Sequence, residues 1–232
     1  SNKSNSYIFK CFDESLKLIK DKKISGIINC PINKESLLKK KYLGITEYLS
    51  SKLNKKSNEV MLIYNKKLSV SPITTHIPIS QVSKKIDEKI IIKKVRTINS
   101  FYKKVLKRKP KFAILGLNPH NFSIHKKNEE KIIRKAVNKL TKFKIKVVGP
   151  ISSDSSFAIY EKHNFDIIIG MYHDQVLGPF KALFKFKAIN ITLGLPFVRI
   201  SPDHGVASNI MGKNISNEIS LVESIKFFNY IK

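Results

Sequence analysis

The sequence has few cysteines, few arginines and no long apolar run. The two cysteines, Cys11 and Cys30, are too few for a disulfide framework and too far apart for a Cys-x-x-Cys zinc or redox motif. We expect both to be reduced, buried thiols. No apolar run approaches the roughly 20 residues that cross a bilayer, and the chain start lacks the apolar core of a signal peptide. These absences predict a cytoplasmic protein with no membrane partner.

The charge is strongly one-sided. The chain has 44 Lys and Arg against 17 Asp and Glu, a formal net charge of +27, which is typical of proteins that bind nucleic acid or another anion. Only four of these basic residues are Arg, however, and the lysines are spread along the chain among Ile and Asn, as an A+T-rich coding sequence would produce. Dedicated nucleic-acid surfaces favour Arg and aromatic side chains. We therefore predict no specific nucleic-acid partner; a small phosphorylated substrate would also be attracted by this field.

Helical and strand-like patterns alternate along the 232 residues, which suffice for one large domain or two small ones. Apolar residues recur at helical spacing in residues 9–19, 86–105 and 129–140, and further helices are predicted to begin near residues 33, 44 and 157. Predicted strands lie at residues 24–30, 60–64, 67–73, 112–117, 145–148 and 165–170, the second and third forming a hairpin. This alternation predicts an α/β fold with mostly parallel sheets.

Turn residues add local predictions. Thr46 is expected to cap the helix that begins near Gly44, and Gly149-Pro150 is expected to end the preceding strand. Asp154 is expected either to cap the helix over residues 157–162 or to bind a cation.

Three histidines follow predicted strands: His76, His120 and His173. The carboxyl ends of parallel strands converge on one crevice, where three imidazoles could bind a divalent metal and leave a position open for a ligand. The alternative for each is a hydrogen-bonded histidine of the core. Lys34 begins a helix at the same kind of strand end, where it is either a solvated lysine or a ligand-binding residue.

Polar residues also interrupt the apolar segment 171–207, and such residues need partners. A set of motifs runs in order along nearly the whole chain: TTHIPI (74–79), GLNPH (116–120), GP-x3-D-x2-F (149–157), MYHDQ (171–175), Lys181, N-x-TLGLP-x2-R (190–199) and DHG-x-A (203–207). This set resembles the 4-hydroxythreonine-4-phosphate dehydrogenase family of pyridoxal phosphate (vitamin B6) biosynthesis. The resemblance implies a two-domain α/β fold like that of isocitrate and isopropylmalate dehydrogenases, and a homodimer with a shared active site.

The resemblance also implies roles for individual residues. The metal ligands would be His76, His120 and His173, holding zinc, cobalt or magnesium. Substrate-binding residues would be Thr46, Lys181, Asn190 and Arg199; supporting positions would be Lys34, Asp154 and Asp174; and NAD-binding residues would be His204, Gly205 and Asn209. Lys and Arg side chains suit a phosphorylated amino acid. The implied reaction is NAD-dependent oxidation of 4-phosphohydroxy-L-threonine, followed by decarboxylation to 3-amino-2-oxopropyl phosphate.

Several positions depart from the family pattern. Ile45 stands where the family has a substrate-contacting His, residues 121–123 replace Ala-Gly-Glu, and Val206, Asn209 and Asn214 replace other family residues. Isoleucine can neither donate nor accept a hydrogen bond. Two alternatives therefore stay open: a dehydrogenase of a related phosphorylated hydroxy acid, such as phosphothreonate or phosphoerythronate, and a catalytically weakened relative that binds only metal or ligand.

The family also carries a longer N-terminal segment, so we expect an N-terminally shortened chain whose first domain is incomplete. Residues 1–36 and 206–232 are expected to form what remains of the first, nucleotide-side domain. Residues 37–205 are expected to form the second domain, which carries the metal ligands and the dimer interface.

Overall fold

The structure is a computed structural model that describes residues 2–38, 42, 44–53, 59–122 and 129–231, apart from the side chains of Asn2, Lys34 and Glu35. Its helices are α1 (Asn2–Lys20), α2 (Lys34–Leu38), α3 (Ile45–Lys52), α4 (Val82–Lys85), α5 (Glu88–Lys104), α6 (Glu129–Lys142), α7 (Ser153–Ile159), α8 (His173–Phe184) and α9 (Ile219–Tyr230). Its strands are β1 (Gly26–Ile28), β2 (Val60–Tyr64), β3 (Ser69–Pro72), β4 (Lys111–Leu115), β5 (Lys146–Ile151), β6 (Ile167–Gly170), β7 (Ile189–Leu193) and β8 (Val198–Pro202). In the part of the chain described, no helix is both long and apolar enough to cross a membrane.

The chain forms two compact units. The first unit comprises residues 1–59 and 189–230, and the second unit comprises residues 60–188. These boundaries differ from the predicted ones, 37 and 205, at both ends. Leu37 and Leu49 pack in one apolar cluster with Phe12 of α1, and residues 189–205 contain β7 and β8, of which β8 pairs with β1. The assignment of a nucleotide side and a dimer interface stays a prediction.

In the first unit, β8 pairs in parallel with β1 and antiparallel with β7. Gly26 of β1 allows helix α9 to approach closely, since a Cβ there would lie 2.3 Å from the Val198 carbonyl oxygen and 2.7 Å from the Phe228 ring. An apolar cluster packs the N-terminal helices together: Phe12, Leu37, Leu38, Ile45, Tyr48 and Leu49. Its aromatic members contribute large buried surfaces, which makes it the main stabilising contact among these helices.

In the second unit, the strands lie in the order β2-β3-β6-β4-β5. The β2–β3 hairpin is antiparallel, whereas β3, β6, β4 and β5 run parallel. Parallel strands are buried on both faces, and the apolar residues of β6, Ile167 to Ile169, are fully buried accordingly. The carboxyl ends of these parallel strands therefore lie along one edge of the sheet.

Most predicted elements are confirmed, including the hairpin and the long helices α1, α5 and α6. The α5 helix begins where the Asp87 carboxylate accepts hydrogen bonds from the backbone N–H groups of Lys89 and Ile90. The strand predicted at 145–148 instead continues to Ile151, because Ile151 pairs with Leu115 of β4.

Three local predictions were wrong. Helix α3 has Gly44 as its N-cap, so Thr46 lies inside the first turn and does not cap it. Helix α7 begins at Ser153, so Asp154 lies in its first turn and does not cap a helix at 157. Cys11 and Cys30 are exposed rather than buried; on α1 it is Phe12, next to Cys11, that faces the core.

Candidate functional site

The second unit places the predicted metal ligands after three of its parallel strands. His76 follows β3, His120 follows β4, and His173 begins helix α8 directly after β6. His76 and His120 have left-handed backbone angles, with φ of 48° and 52°. This conformation is uncommon for a residue with a Cβ and is concentrated at functional sites. In both loops, the backbone of the histidine itself therefore adopts an energetically unfavourable conformation.

The geometry brings two of these imidazoles together. The ring centroids of His76 and His173 lie 6.1 Å apart, close to the roughly 5 to 6 Å expected of two imidazoles that share one zinc through bonds of about 2.0 Å. The Asp174 carboxylate oxygen lies 2.6 Å from His173 Nδ1, a contact that orients the ring and leaves Nε2 for a ligand. The donor set and the spacing of this pair fit a divalent metal.

His120 is not brought into the same cluster. Within the described ranges, no group of three or more His, Cys, Asp or Glu side chains is close enough to hold one metal ion. His120 is exposed and lies near the Asp154 carboxylate, and the two interact electrostatically. A hydrogen bond from the Ser152 side chain and one from the Ser155 N–H lower the pKa of Asp154, with a smaller contribution from His120.

Buried polar side chains, to which the sequence analysis assigned no role, hold the loops that carry these histidines. The Glu130 carboxylate, only 2% exposed, accepts from the backbone N–H groups of Leu117 and Asn118 and from the Asn118 side-chain amide. Burial raises the pKa of Glu130, but the hydrogen bonds from Asn118 and Leu117 outweigh this effect, so the net pKa is lowered. Glu130 thus remains an anion that fixes the segment leading to His120.

Gln175 and Thr74 hold the other loops. The Gln175 amide oxygen accepts from Met171 N–H at 2.6 Å, while its amide nitrogen donates to the Gly116 carbonyl and to Ser153 Oγ, both at 2.7 Å. Thr74 donates from its hydroxyl and its backbone N–H to the Met171 carbonyl, at 2.7 and 3.1 Å. Together they link the ends of β3, β4 and β6 and the start of α7.

In the first unit, Arg199 of β8 is the central charged side chain. It is 5% exposed, its Nε donates to Asn29 Oδ1 at 2.7 Å, and its Nη1 donates to Thr192 Oγ1 at 2.9 Å. Thr46 Oγ1 lies 3.5 Å from the same Nη1, so Thr46 contacts Arg199. Burial lowers the pKa of Arg199 to about 10, and Glu47 opposes this shift, so the guanidinium is still charged at neutral pH.

The other predicted substrate- and NAD-binding residues make fewer hydrogen bonds than Arg199 in the described part of the chain. The Asn190 amide oxygen is buried and has no hydrogen-bond partner in the described part of the chain. His204 Nδ1 lies 3.0 Å from the Gly205 carbonyl oxygen, and Gly205 and Asn209 are exposed. Lys181, on α8 of the second unit, is partly buried. The side chain of Lys34 lies outside the described residues.

Ile45 does not face a polar site. It is 4% exposed and belongs to the apolar cluster with Phe12 and Tyr48. Among the described residues, Ile45 therefore packs against apolar side chains of the first unit.

Comparison with known proteins now identifies the family. The family model described as "Pyridoxal phosphate biosynthetic protein PdxA" matches residues 1–228. The chain belongs to the PdxA family. The predicted family is thereby confirmed.

Two curated relatives of this PdxA chain are named for related activities. A 4-hydroxythreonine-4-phosphate dehydrogenase of Sulfurihydrogenibium sp. is 42% identical over 226 residues, which cover 95% of this chain and 69% of the relative. A D-threonate 4-phosphate dehydrogenase of Cupriavidus necator is 34% identical over 224 residues, covering 94% of this chain and 67% of the relative. The chain spans about two thirds of the length of the curated relatives it matches.

Solved structures confirm the predicted fold class. The crystal structure of a 4-hydroxythreonine-4-phosphate dehydrogenase from Klebsiella pneumoniae matches with a TM-score of 0.82 and 30% identity, over 98% of this chain and 71% of that one. An isocitrate dehydrogenase from Methylococcus capsulatus shares the fold at a TM-score of 0.57 and 14% identity, over 94% of this chain and 71% of that one.

Proposed function

We propose that this PdxA chain contributes to an NAD- and divalent-metal-dependent dehydrogenase that oxidises 4-phosphohydroxy-L-threonine, which then decarboxylates to 3-amino-2-oxopropyl phosphate. The observation that carries the proposal is the approach of His76 and His173 to 6.1 Å at one edge of the parallel sheet. Relatives named 4-hydroxythreonine-4-phosphate dehydrogenase support the choice of substrate. As in the family, we propose a homodimer with a shared site.

His76, His120 and His173 would hold the metal through imidazole nitrogens. When bound, a divalent cation supplies Lewis-acid stabilisation of negative charge on a substrate oxygen. His173 is already oriented for this role by Asp174. His120 would have to move from its position near Asp154 to join the pair, and the strained turn that carries it is the place where such a movement would occur.

Arg199, Lys181, Asn190 and Thr46 would bind the substrate. Asn29 and Thr192 fix the Arg199 guanidinium through Nε and Nη1. A substrate carboxylate or phosphate would therefore bind a guanidinium group whose orientation is already fixed. The buried Asn190 oxygen would accept a hydrogen bond from a substrate ammonium or hydroxyl group.

The segment from His204 to Asn209, which is exposed from Gly205 onwards, would contact NAD. This assignment rests on the family resemblance of residues 203–207 and on the exposure of Gly205 and Asn209.

Assays of the purified chain test the proposal. NADH formation is followed with 4-phosphohydroxy-L-threonine in the presence of zinc, cobalt or magnesium, and metal binding is measured by isothermal titration calorimetry. Substituting His76, His120 or His173 by Ala is expected to abolish both. His163→Ala is the matched control, because this exposed histidine stacks on Phe165 away from the three loops. Metal binding that survives all three substitutions would refute the site.

D-Threonate 4-phosphate is the second candidate substrate, favoured by the relative of that name. Comparing kcat/KM for the two substrates decides between them. Metal binding that depends on the three histidines, without turnover of either substrate, would instead indicate a weakened relative that binds metal only.

A further inference from the structure

We propose that Gln175 is a positioning residue that fixes the His120 loop and the start of α7 relative to the histidine end of helix α8. The inference rests on the proposed function, since it concerns the loops that carry the proposed metal ligands. The Gln175 side chain is only 8% exposed, and its amide bonds to the backbone of these loops.

The Gln175 amide oxygen accepts one hydrogen bond, and both amide protons are donated. A backbone N–H can only donate and a carbonyl can only accept, so the bonds to Met171 N and Gly116 O decide which end of the amide is oxygen. The second amide proton is then directed at Ser153 Oγ, 2.7 Å away. One acceptor and two donors are therefore required at a single buried point. Glu would lose both donors, and Leu would lose all three bonds.

The three partners lie in separate segments, each within four residues of a predicted site residue. Met171 lies two residues before His173, Gly116 lies four residues before His120, and Ser153 directly precedes Asp154. A single side chain thus connects all three segments. A displacement of about 1 Å in a catalytic or metal site is enough to lower function by large factors, so this connection matters for the site.

The backbone around Gln175 is adapted to it. A Cβ at Gly170 would lie 3.0 Å from the Gln175 amide oxygen and 2.5 Å from Val176 Cγ1, so glycine gives the side chain room to turn back towards Met171. The Met171 carbonyl is held by Thr74, so both polar atoms of this residue's backbone have buried partners. The junction between β6 and α8 is therefore fixed from both sides.

Substitution at Gln175 tests the inference. Gln175→Glu keeps the shape and the acceptor but removes both donors, and Gln175→Leu removes every hydrogen bond. Gln81→Glu and Gln81→Leu are the controls, since Gln81 is exposed. Amide hydrogen exchange is measured by mass spectrometry in metal-free protein at pH 7. Exchange in residues 116–118 is expected to accelerate about tenfold or more in both Gln175 variants. The lost hydrogen bonds stabilise the closed loop by about 1.4 kcal/mol, which is a tenfold change in the opening equilibrium.

Metal affinity gives a second readout. The dissociation constant for Zn²⁺ is expected to rise about 10- to 100-fold in Gln175→Glu, as for other substitutions behind metal ligands, and the visible spectrum of bound Co²⁺ is expected to change. Ser153→Ala, which removes only one partner, is expected to give a smaller change in the same direction and serves if either Gln175 variant fails to fold.

The outcomes separate the inference from the proposed function. Unchanged exchange at residues 116–118 in a folded Gln175 variant overturns the inference, whether or not metal binds. Metal affinity that does not depend on His76, His120 and His173 overturns the proposed metal site, while the exchange measurement still decides the role of Gln175.

Discussion

Glu130→Gln is the substitution for which the structure gives the clearest expected cost. The Glu130 carboxylate accepts from Leu117 N at 3.1 Å and from Asn118 N at 2.9 Å through one oxygen, and from Asn118 Nδ2 at 2.9 Å through the other. Hydrogen bonds to a charged group contribute about 1.5 to 3 kcal/mol each. Gln keeps one acceptor oxygen but turns its NH₂ group towards the Asn118 NH₂. We expect the free energy of unfolding to fall by about 2 to 3 kcal/mol.

Urea denaturation followed by circular dichroism measures this loss as a lower midpoint at an unchanged slope. Glu129→Gln is the matched control. It removes the same charge from the same helical turn, but among the described residues the Glu129 carboxylate makes one long contact, 3.4 Å, with Asn118 Nδ2. We expect it to cost less than about 1 kcal/mol. Equal losses in the two variants would refute the reasoning.

The pH dependence gives an independent check. The net pKa of Glu130 is lowered in the folded protein, so its contribution to stability is complete above the ordinary carboxyl pKa of about 4.3 and is lost as the pH falls through the folded-state value. The stability difference between wild type and Glu130→Gln should therefore be constant near neutral pH and shrink below about pH 4. A difference that stays constant in acid would contradict the assignment.

Three further substitutions test other parts of the structure. Arg199→Lys should lower the free energy of unfolding by about 2 kcal/mol, because an ammonium cannot donate along both directions that reach Asn29 and Thr192. Ile45→His, although it restores the family residue, should cost about 2 to 3 kcal/mol by placing an imidazole in the apolar cluster. Tyr102→Phe should cost about 1 to 2 kcal/mol through loss of the buried 2.8 Å hydrogen bond between the Tyr102 hydroxyl and Ser69 Oγ. Urea denaturation measures each.

Matched controls accompany these substitutions. Arg134→Lys and Tyr7→Phe change exposed residues and should shift stability by less than about 0.5 kcal/mol, and Ile45→Val should cost no more than about 1.5 kcal/mol. An Ile45→His variant as stable as wild type would show that position 45 faces solvent or a polar pocket. Losses at Arg199 or Tyr102 that match those of their exposed controls would show that the buried hydrogen bonds contribute little.

The sequence predicted those elements whose pattern is local. Apolar spacing was sufficient for α5, and a β-branched run was sufficient for β6. The end of β5 could not be found in this way, because Ile151 belongs to the strand only through its pairing with Leu115. Thr46 was assigned to a helix cap from residue preference alone, whereas Gly44 occupies that position.

In the candidate site, too, local patterns were predictable and long-range contacts were not. The neighbourhood of His76 and His173 followed from their positions at the ends of strands that were predicted to be parallel. Asn29 could not be linked to Arg199, since the two are 170 residues apart and no motif joins them. Gln175 stands in the MYHDQ motif, but its structural role could not be predicted either, because its three partners become neighbours only when the strand ends come together.

The pairing of β1 with β8 also constrains the order in which the chain can fold. Gly26 and Val198 pair across 172 residues, and residues 60–188 of the second unit lie between them. Closing so long a segment is entropically slow, and domains tend to fold as they emerge during synthesis. The strands of residues 60–188 can pair while β8 is still absent, so β1 lacks this partner strand until residues 198–202 have been made.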